Sequence, residues 1–477
     1  MAINVIVTFL SWTSGGKNEE NITVDQKTRH SQLLRKYLIV YLLAALSDWL
    51  QGPYVYALYD AYGYSQHDIA ILFVAGFGSS MGFGSFIGGM ADWGGRRRFI
   101  IIFAIIYAAS CVTKHFKDFK ILMLGRLLGG IATSLLFSVF EAWLIRSHSD
   151  AKLGKTFLSK SFSWAAYGNS VVAIGAGLIA NWAAEAIEMK PIMSSGDLIN
   201  VGGFLNPFDI AFVALVLCGM CCAALWEENY GDQGDDQKSG DDNRQSAWYD
   251  GLRNAYTVTI RSRDILLCGI ISSLFEGSMY IFVFMWTPAL KNLSKEGTDI
   301  PFGLIFSTFM VSCMAGSSLF SILVARIKVE AMAVGVFAAS ALAMTLVALG
   351  SSDVMLYVGM LIFEMCVGMY FPIMGTMKGS IVPEDKRAAI YNLYRIPLNC
   401  IVLFSLLTDL TYTVSFALNA GMLFAGTLLQ VILMTRRLNM KNVSDLKDIS
   451  QKYQSATTVD NAEETAALVS TKGESTV

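Results

Sequence analysis

The stretch ILMLGRLLGGIATSLLFSVFEAWL, residues 121–144, carries only two charged side chains, Arg126 and Glu141. A hydrocarbon layer about 30 Å thick takes roughly 20 apolar residues at about 1.5 Å rise each, so this run reads as a membrane-spanning helix. Runs like it recur at 37–59, 68–90, 99–114, 120–145, 159–182, 207–226, 265–290, 302–325, 330–350, 354–377, 388–410 and 413–435. Twelve such runs, six on each side of a polar stretch, predict an all-α membrane protein with twelve transmembrane helices in two six-helix bundles. Composition agrees: 54% of the 477 residues are hydrophobic and 16% are charged, against about 25% charged in soluble proteins.

The polar segments divide the chain. Residues 1–36 read as a cytoplasmic tail whose opening run, Met1 to Trp12, is too short to span; a cleaved signal or a truncated extra span would also fit it. Residues 37–226 form the first bundle, 227–264 a cytoplasmic linker holding the acidic cluster GDQGDDQKSGDD, and 265–435 the second bundle. Residues 436–477 read as a disordered cytoplasmic tail. All but eight of the 36 lysines and arginines fall on one side if the N-terminus is cytoplasmic. Six of the eight (Lys114, Lys117, Lys120, Lys190, Lys291 and Lys295) fall outside, and Arg126 and Arg395 lie within spans. Cytoplasmic loops collect basic residues, so both termini are expected in the cytoplasm, with the plasma membrane as the expected location.

A formal net charge of −2 excludes a basic nucleic-acid surface. The eight cysteines sit mostly in apolar runs and the four histidines are scattered, so neither disulfides, a metal site nor a cofactor is expected. No nucleophile, base and orienting group occur at readable spacing, which argues against an enzyme.

Charged groups at bilayer depth cost about 2.5–3.5 kcal/mol each on insertion scales and need a partner or a wet cavity. Six lie more than three residues from either end of a run: Asp48, Arg126, Glu141, Glu276, Glu364 and Arg395. Helical spacing places Arg126, Gly130, Thr133, Phe137 and Glu141 along one face of the fourth span. The eleventh places Asn392, Arg395 and Asn399 together, with Pro397 breaking the backbone ladder. A guanidinium flanked by amides offers several donors to a tetrahedral oxyanion; interhelical hydrogen bonding is the plainer reading. In the first span Gln51 follows Asp48, and Gly52-Pro53 predicts a kink. The glycine-rich GFGSSMGFGSFIGG, 76–89, permits close helix contact. LQGPYVYALY (50–59) and FEGSMYIFVF (275–284) align as a repeat, matching Gln51 to Glu276; aligning Gly130 with Gly368 puts Arg126 opposite Glu364.

Between the second and third spans, Gly88, Asp92, Gly95, Arg96 and Arg97 follow the spacing G-x3-D-x2-G-R-R-R, which resembles the loop signature of the major facilitator superfamily. That resemblance implies an Asp–Arg latch stabilising an outward-facing state; Trp93 stands where a basic residue is usual, and the counterpart near 321–330 has lost the pattern. The strings DWLQGPYVYALY (48–59), LGRLLGGIATSLLFSVFEAWL (124–144), FVFMWTPAL (282–290), GLIFSTFMVSCMAGSSL (303–319) and YFPIMG with the following VPE and YRIPLN (370–399) resemble the molybdate-anion transporter family. The resemblance implies uptake of molybdate by a secondary active transporter.

The residues themselves suggest alternating access about a cavity between the halves. Arg126, Arg395, Asn392, Asn399 and Gln51 are expected to bind the dianion, and Asp48, Glu276, Glu364 and Glu141 to balance charge, with protons as the candidate coupling ion. The lipid bilayer is the expected partner and a monomer the expected state. A facilitator for a sugar or organic anion, or a non-transporting receptor or scaffold, stays open as an alternative.

Overall fold

Capping chemistry sets where several helices begin. In the computed structural model, which describes residues 23–84, 86–192, 198–230, 256–293, 300–350, 352–383, 387–408 and 410–439, the first helix opens with a capping box. Thr23 and Gln26 exchange side-chain and backbone hydrogen bonds, so α1 (Val24–Gln51) starts well ahead of the expected residue 37. The run Met1 to Trp12, the acidic cluster and the tail from residue 440 onward lie outside the described residues.

The first span bends where expected: α1 gives way at Gly52 to a short turn, and the chain resumes as α2 (Val55–Ala61). The second span is also split, into α3 (Gln66–Gly84) and α4 (Ile87–Gly94). Next come α5 (Arg96–Thr113), α6 (Phe119–Leu136), α7 (Val139–Asp150), α8 (Lys155–Ala186) and α9 (Asn206–Leu225). The second half comprises α10 (Arg263–Leu293), α11 (Phe302–Leu323), α12 (Val329–Leu349), α13 (Asp353–Ile381), α14 (Arg387–Leu407) and α15 (Tyr412–Asn439). Among the described residues, eight helices are individually long and apolar enough to cross a membrane. The other spans are interrupted, as α3 and α4 are, or begin with charged residues, as α1 and α5 do.

One expectation is corrected. The fourth span does not present one face from Arg126 to Glu141, because it breaks at Phe137–Ser138 into α6 and α7. Hydroxyls there compete for the backbone: Thr133 Oγ1 donates to Gly129 O at 2.9 Å, Ser134 Oγ to Gly130 O at 3.2 Å, and Ser138 Oγ to Ser134 O at 2.7 Å. Such i−4 back-bonding bends helices. In the eleventh span, α14 continues through Pro397, which leaves one carbonyl of the ladder without its donor.

Glycine brings helices into backbone contact at matching places in the two halves. A Cβ on Gly130 of α6 would strike the Gly76 carbonyl of α3, and one on Gly368 of α13 would strike the Cys313 carbonyl of α11. The Gly130–Gly368 pairing of the internal alignment therefore corresponds to equivalent packing.

The face bearing residues 23 and 439 is called the terminal face here, and its counterpart the opposite face. On the opposite face, β1 (Lys190–Pro191) pairs with β2 (Asn200–Val201), and the α5–α6 loop docks against this hairpin through His115. Its Nδ1 lies 2.9 Å from Asn200 O and its Nε2 2.9 Å from Asp209 Oδ1, so both ring nitrogens face acceptors. The hydrogen bond to Asp209 holds the imidazole pKa above its ordinary value. The stabilisation is thus full below the unfolded value of about 6.5 and disappears as pH rises through the elevated folded value. His115→Asn should lower the thermal unfolding midpoint at pH 6 and change it little at pH 8.5; an equal change at both would remove the charged pair from the account.

Candidate functional site between the halves

The glycine-rich α3 forms the floor on which side chains from both halves meet. Gly76 leaves room for Arg126 of α6: a Cβ there would lie 2.9 Å from the guanidinium. Arg126 Nε donates to Leu72 O at 3.2 Å, and its plane lies 4.4 Å from the centre of the Phe73 ring. Two turns along, Gly84 faces Arg395 of α14, whose NH1 would lie 3.8 Å from a Cβ on that glycine. Eight residues of helix separate these points by about 12 Å. Between them Asn399 Nδ2 lies 2.6 Å from Met81 Sδ. Neither arginine has a carboxylate within ion-pair distance among the described residues, so the carboxylates of the spans do not serve as their structural counter-ions.

The acidic groups have other surroundings. Asp48 accepts a hydrogen bond from Tyr107 at 2.6 Å, and Tyr107 also lies within electrostatic reach of Arg126. Glu276 Oε1 accepts from Lys378 at 3.0 Å and from Tyr370 at 2.9 Å. Glu364 is buried on α13 with no hydrogen-bond or ion-pair partner among the described residues. Glu141 is exposed on α7, on a separate helix from Arg126. The Gln51 amide is turned back on its own helix, donating to Ser47 O at 3.0 Å. Asn392 lies on α14, with its side chain outside the described set. The structure therefore gathers Arg126, Arg395 and Asn399 along α3, with Asp48 linked through Tyr107, and sets Gln51, Glu141 and Glu364 apart.

Two cations at the site come from places where hydropathy drew boundaries. Lys114, at the end of α5, is 1% exposed and donates to Tyr59 Oη at 2.7 Å. Lys378 lies beneath Tyr391 and Tyr394, at 5.7 and 6.0 Å from their ring centres. Lys114 closes the run 99–114 and Lys378 follows the run 354–377, and a place at the end of an apolar run does not reveal which way a side chain folds back.

Towards the opposite face the halves close over this site. Phe73, Phe77 and Tyr56 meet Tyr280 and Phe284 edge-on, with ring centres 5.0–5.4 Å apart. Helix α8 packs on α11, where a Cβ on Gly177 or Gly303 would fall on the other helix's backbone. Ser307 Oγ donates to Ile174 O at 2.8 Å, and Lys291 pairs with Asp60 across the halves.

The loop motif is fully engaged within the first half. Arg96 is buried and paired with Asp92, with Nε–Oδ1 at 2.8 Å. Gly95 adopts φ +100°, a conformation suited to glycine, and the Glu228 carboxylate packs against it. Glu228 accepts from the backbone N–H of Arg97 at 2.8 Å and of Arg98 at 3.3 Å, capping α5 with a negative charge. Arg97 itself donates to Ala223 O at 2.5 Å. Gly88 lies on α4, before the pair.

Comparison with known proteins places this geometry. A family model described as sugar transporters with 12 transmembrane helices matches residues 2–369. The chain is 32% identical over 397 residues to the molybdate-anion transporter of Takifugu rubripes, covering 78% of each chain. It is 33% identical over 369 residues to that of Xenopus tropicalis, covering 75% of each. Among solved structures, the nucleoside transporter NupG superposes with a TM-score of 0.60 at 13% identity, covering 85% of this chain and 98% of that one. The peptide transporter POT in complex with sulfate superposes at 0.64 with 12% identity, covering 87% and 99%. With three quarters of its length shared with these relatives and the fold shared with the transporters, the chain belongs to the molybdate-anion transporter family, a twelve-span branch of the major facilitator superfamily.

Proposed function

We propose that this protein carries molybdate across the membrane by alternating access. The observation that carries the reading is the pair of arginines, Arg126 and Arg395, set along α3 at the junction of the halves without carboxylate partners among the described residues. An unpaired guanidinium at bilayer depth is costly, and an arriving oxyanion supplies both the counter-charge and the acceptors that its planar fork demands. The relatives named molybdate-anion transporters supply the choice of anion. A neutral sugar, which the family model's description would suggest, offers no counter-charge to either arginine.

The contacts between the halves at Tyr56–Phe284, Ser307–Ile174 and Lys291–Asp60 support an arrangement open towards the terminal face. With both termini cytoplasmic, as the distribution of basic residues supports, and the plasma membrane as the proposed location, this is the inward-facing state. Inward movement of a dianion against a negative interior costs about 2.3 kcal/mol per charge per 100 mV, so protons are the proposed compensating ions. Glu276, held by Lys378 at 3.0 Å and Tyr370 at 2.9 Å, is the leading candidate for the coupling carboxylate. Asp48 and Glu364 complete the candidate set, and the carrier is proposed to act as a monomer.

Molybdate and tungstate should each raise the unfolding midpoint of the purified protein saturably, by the equivalent of about 2.7 kcal/mol at a hundred times Kd. Glucose should leave it unchanged. Absence of any shift with either oxyanion would overturn the assignment.

A further inference from the structure

We infer that Lys114 makes the site select doubly charged oxyanions over singly charged ones of the same shape, an inference that rests on the oxyanion reading above. Its ammonium is buried, with the Tyr59 hydroxyl 2.7 Å away and the Tyr59 ring centre 5.3 Å away. No carboxylate lies within ion-pair distance among the described residues. A buried cation without a counter-ion destabilises a fold unless another charge arrives to meet it.

Lys114 is placed to meet that charge. A Cβ on Gly125, the residue preceding Arg126, would lie 3.5 Å from Nζ, and the two cations repel one another through the apolar bundle. A fixed cation beside Arg126 attracts a bound dianion about twice as strongly as a monoanion of the same shape, which sets the preference. The contribution needs no direct contact, because Coulomb interactions extend further in low dielectric than in water.

Tungstate and perrhenate test this as tetrahedral oxyanions of similar size carrying two charges and one. Calorimetric binding of each to the full chain in detergent gives their affinity ratio. Lys114→Met is expected to weaken tungstate about a hundredfold and perrhenate about tenfold, which cuts the dianion preference about tenfold, equivalent to about 1.4 kcal/mol, and Lys114→Arg is expected to restore it. A purely structural role would weaken both anions alike. An unchanged ratio in folded Lys114→Met, beside a wild type that binds tungstate, overturns the role of Lys114 alone. A wild type that binds neither tungstate nor molybdate overturns the oxyanion reading itself. If Lys114→Met yields no folded protein, Tyr59→Phe serves: it frees the ammonium from its acceptor and should raise the dianion preference about two- to threefold, whereas an unchanged or lower ratio overturns the inference.

Discussion

Arg126→Gln should lower molybdate uptake by about a hundredfold or more while the protein still folds and reaches the membrane. Truncating one partner of a desolvated, hydrogen-bonded charge pair costs about 2–5 kcal/mol, which is about thirty- to several-thousandfold in affinity. The fold should survive because Arg126 makes no ion pair to break. Among the described residues its hydrogen bond is to Leu72 O, which a glutamine amide can replace, and Gly76 leaves space beside it. Arg126→Lys keeps the charge but loses the planar fork, so an intermediate loss is expected. Arg395 is exposed at the end of the path along α3, and Arg395→Gln should cost less. Transport by Arg126→Gln within threefold of wild type, at matched surface expression, would remove this residue from the site.

Gly303→Val should trap the carrier away from the arrangement described here. A Cβ at this position would lie 2.7 Å from the Asn181 backbone nitrogen and fall on the Gly177 carbonyl, so α8 and α11 must separate. Overpacking of this kind costs about 1–3 kcal/mol, which shifts the balance between the two arrangements about fivefold to over a hundredfold. The penalty falls only on the state in which these helices touch. Uptake should therefore drop at least about tenfold, with the protein still folded and anion binding by purified protein retained. Uptake at the wild-type rate would show that α8–α11 contact is not the gate.

The spans were legible because hydropathy and helix length are one-dimensional properties, and the bend at Gly52-Pro53 because proline removes a donor wherever it stands. The glycines of α3 could be seen to permit close approach, but not that Arg126 and Arg395 would be what approaches. The partner of Glu276 was hidden for a related reason: Lys378 is distant in sequence and sits at a span end, and only the packing of α13 on α10 brings them to 3.0 Å. The break at Phe137–Ser138 depended on serine hydroxyls turning onto their own helix, which the same residues facing a neighbour would not produce. Gln51 illustrates the limit most simply. Its depth and spacing suited a substrate ligand, and one rotamer choice directed its amide to Ser47 O instead.

The central claim is movement of a tetrahedral dianion, and the most direct test is uptake of labelled molybdate into proteoliposomes holding the purified protein under an imposed pH gradient. The account predicts saturable uptake that tungstate blocks, that glucose does not, and that inward-directed protons accelerate in the wild type but not in Glu276→Gln. Folded, reconstituted protein that moves no molybdate in either direction would contradict it.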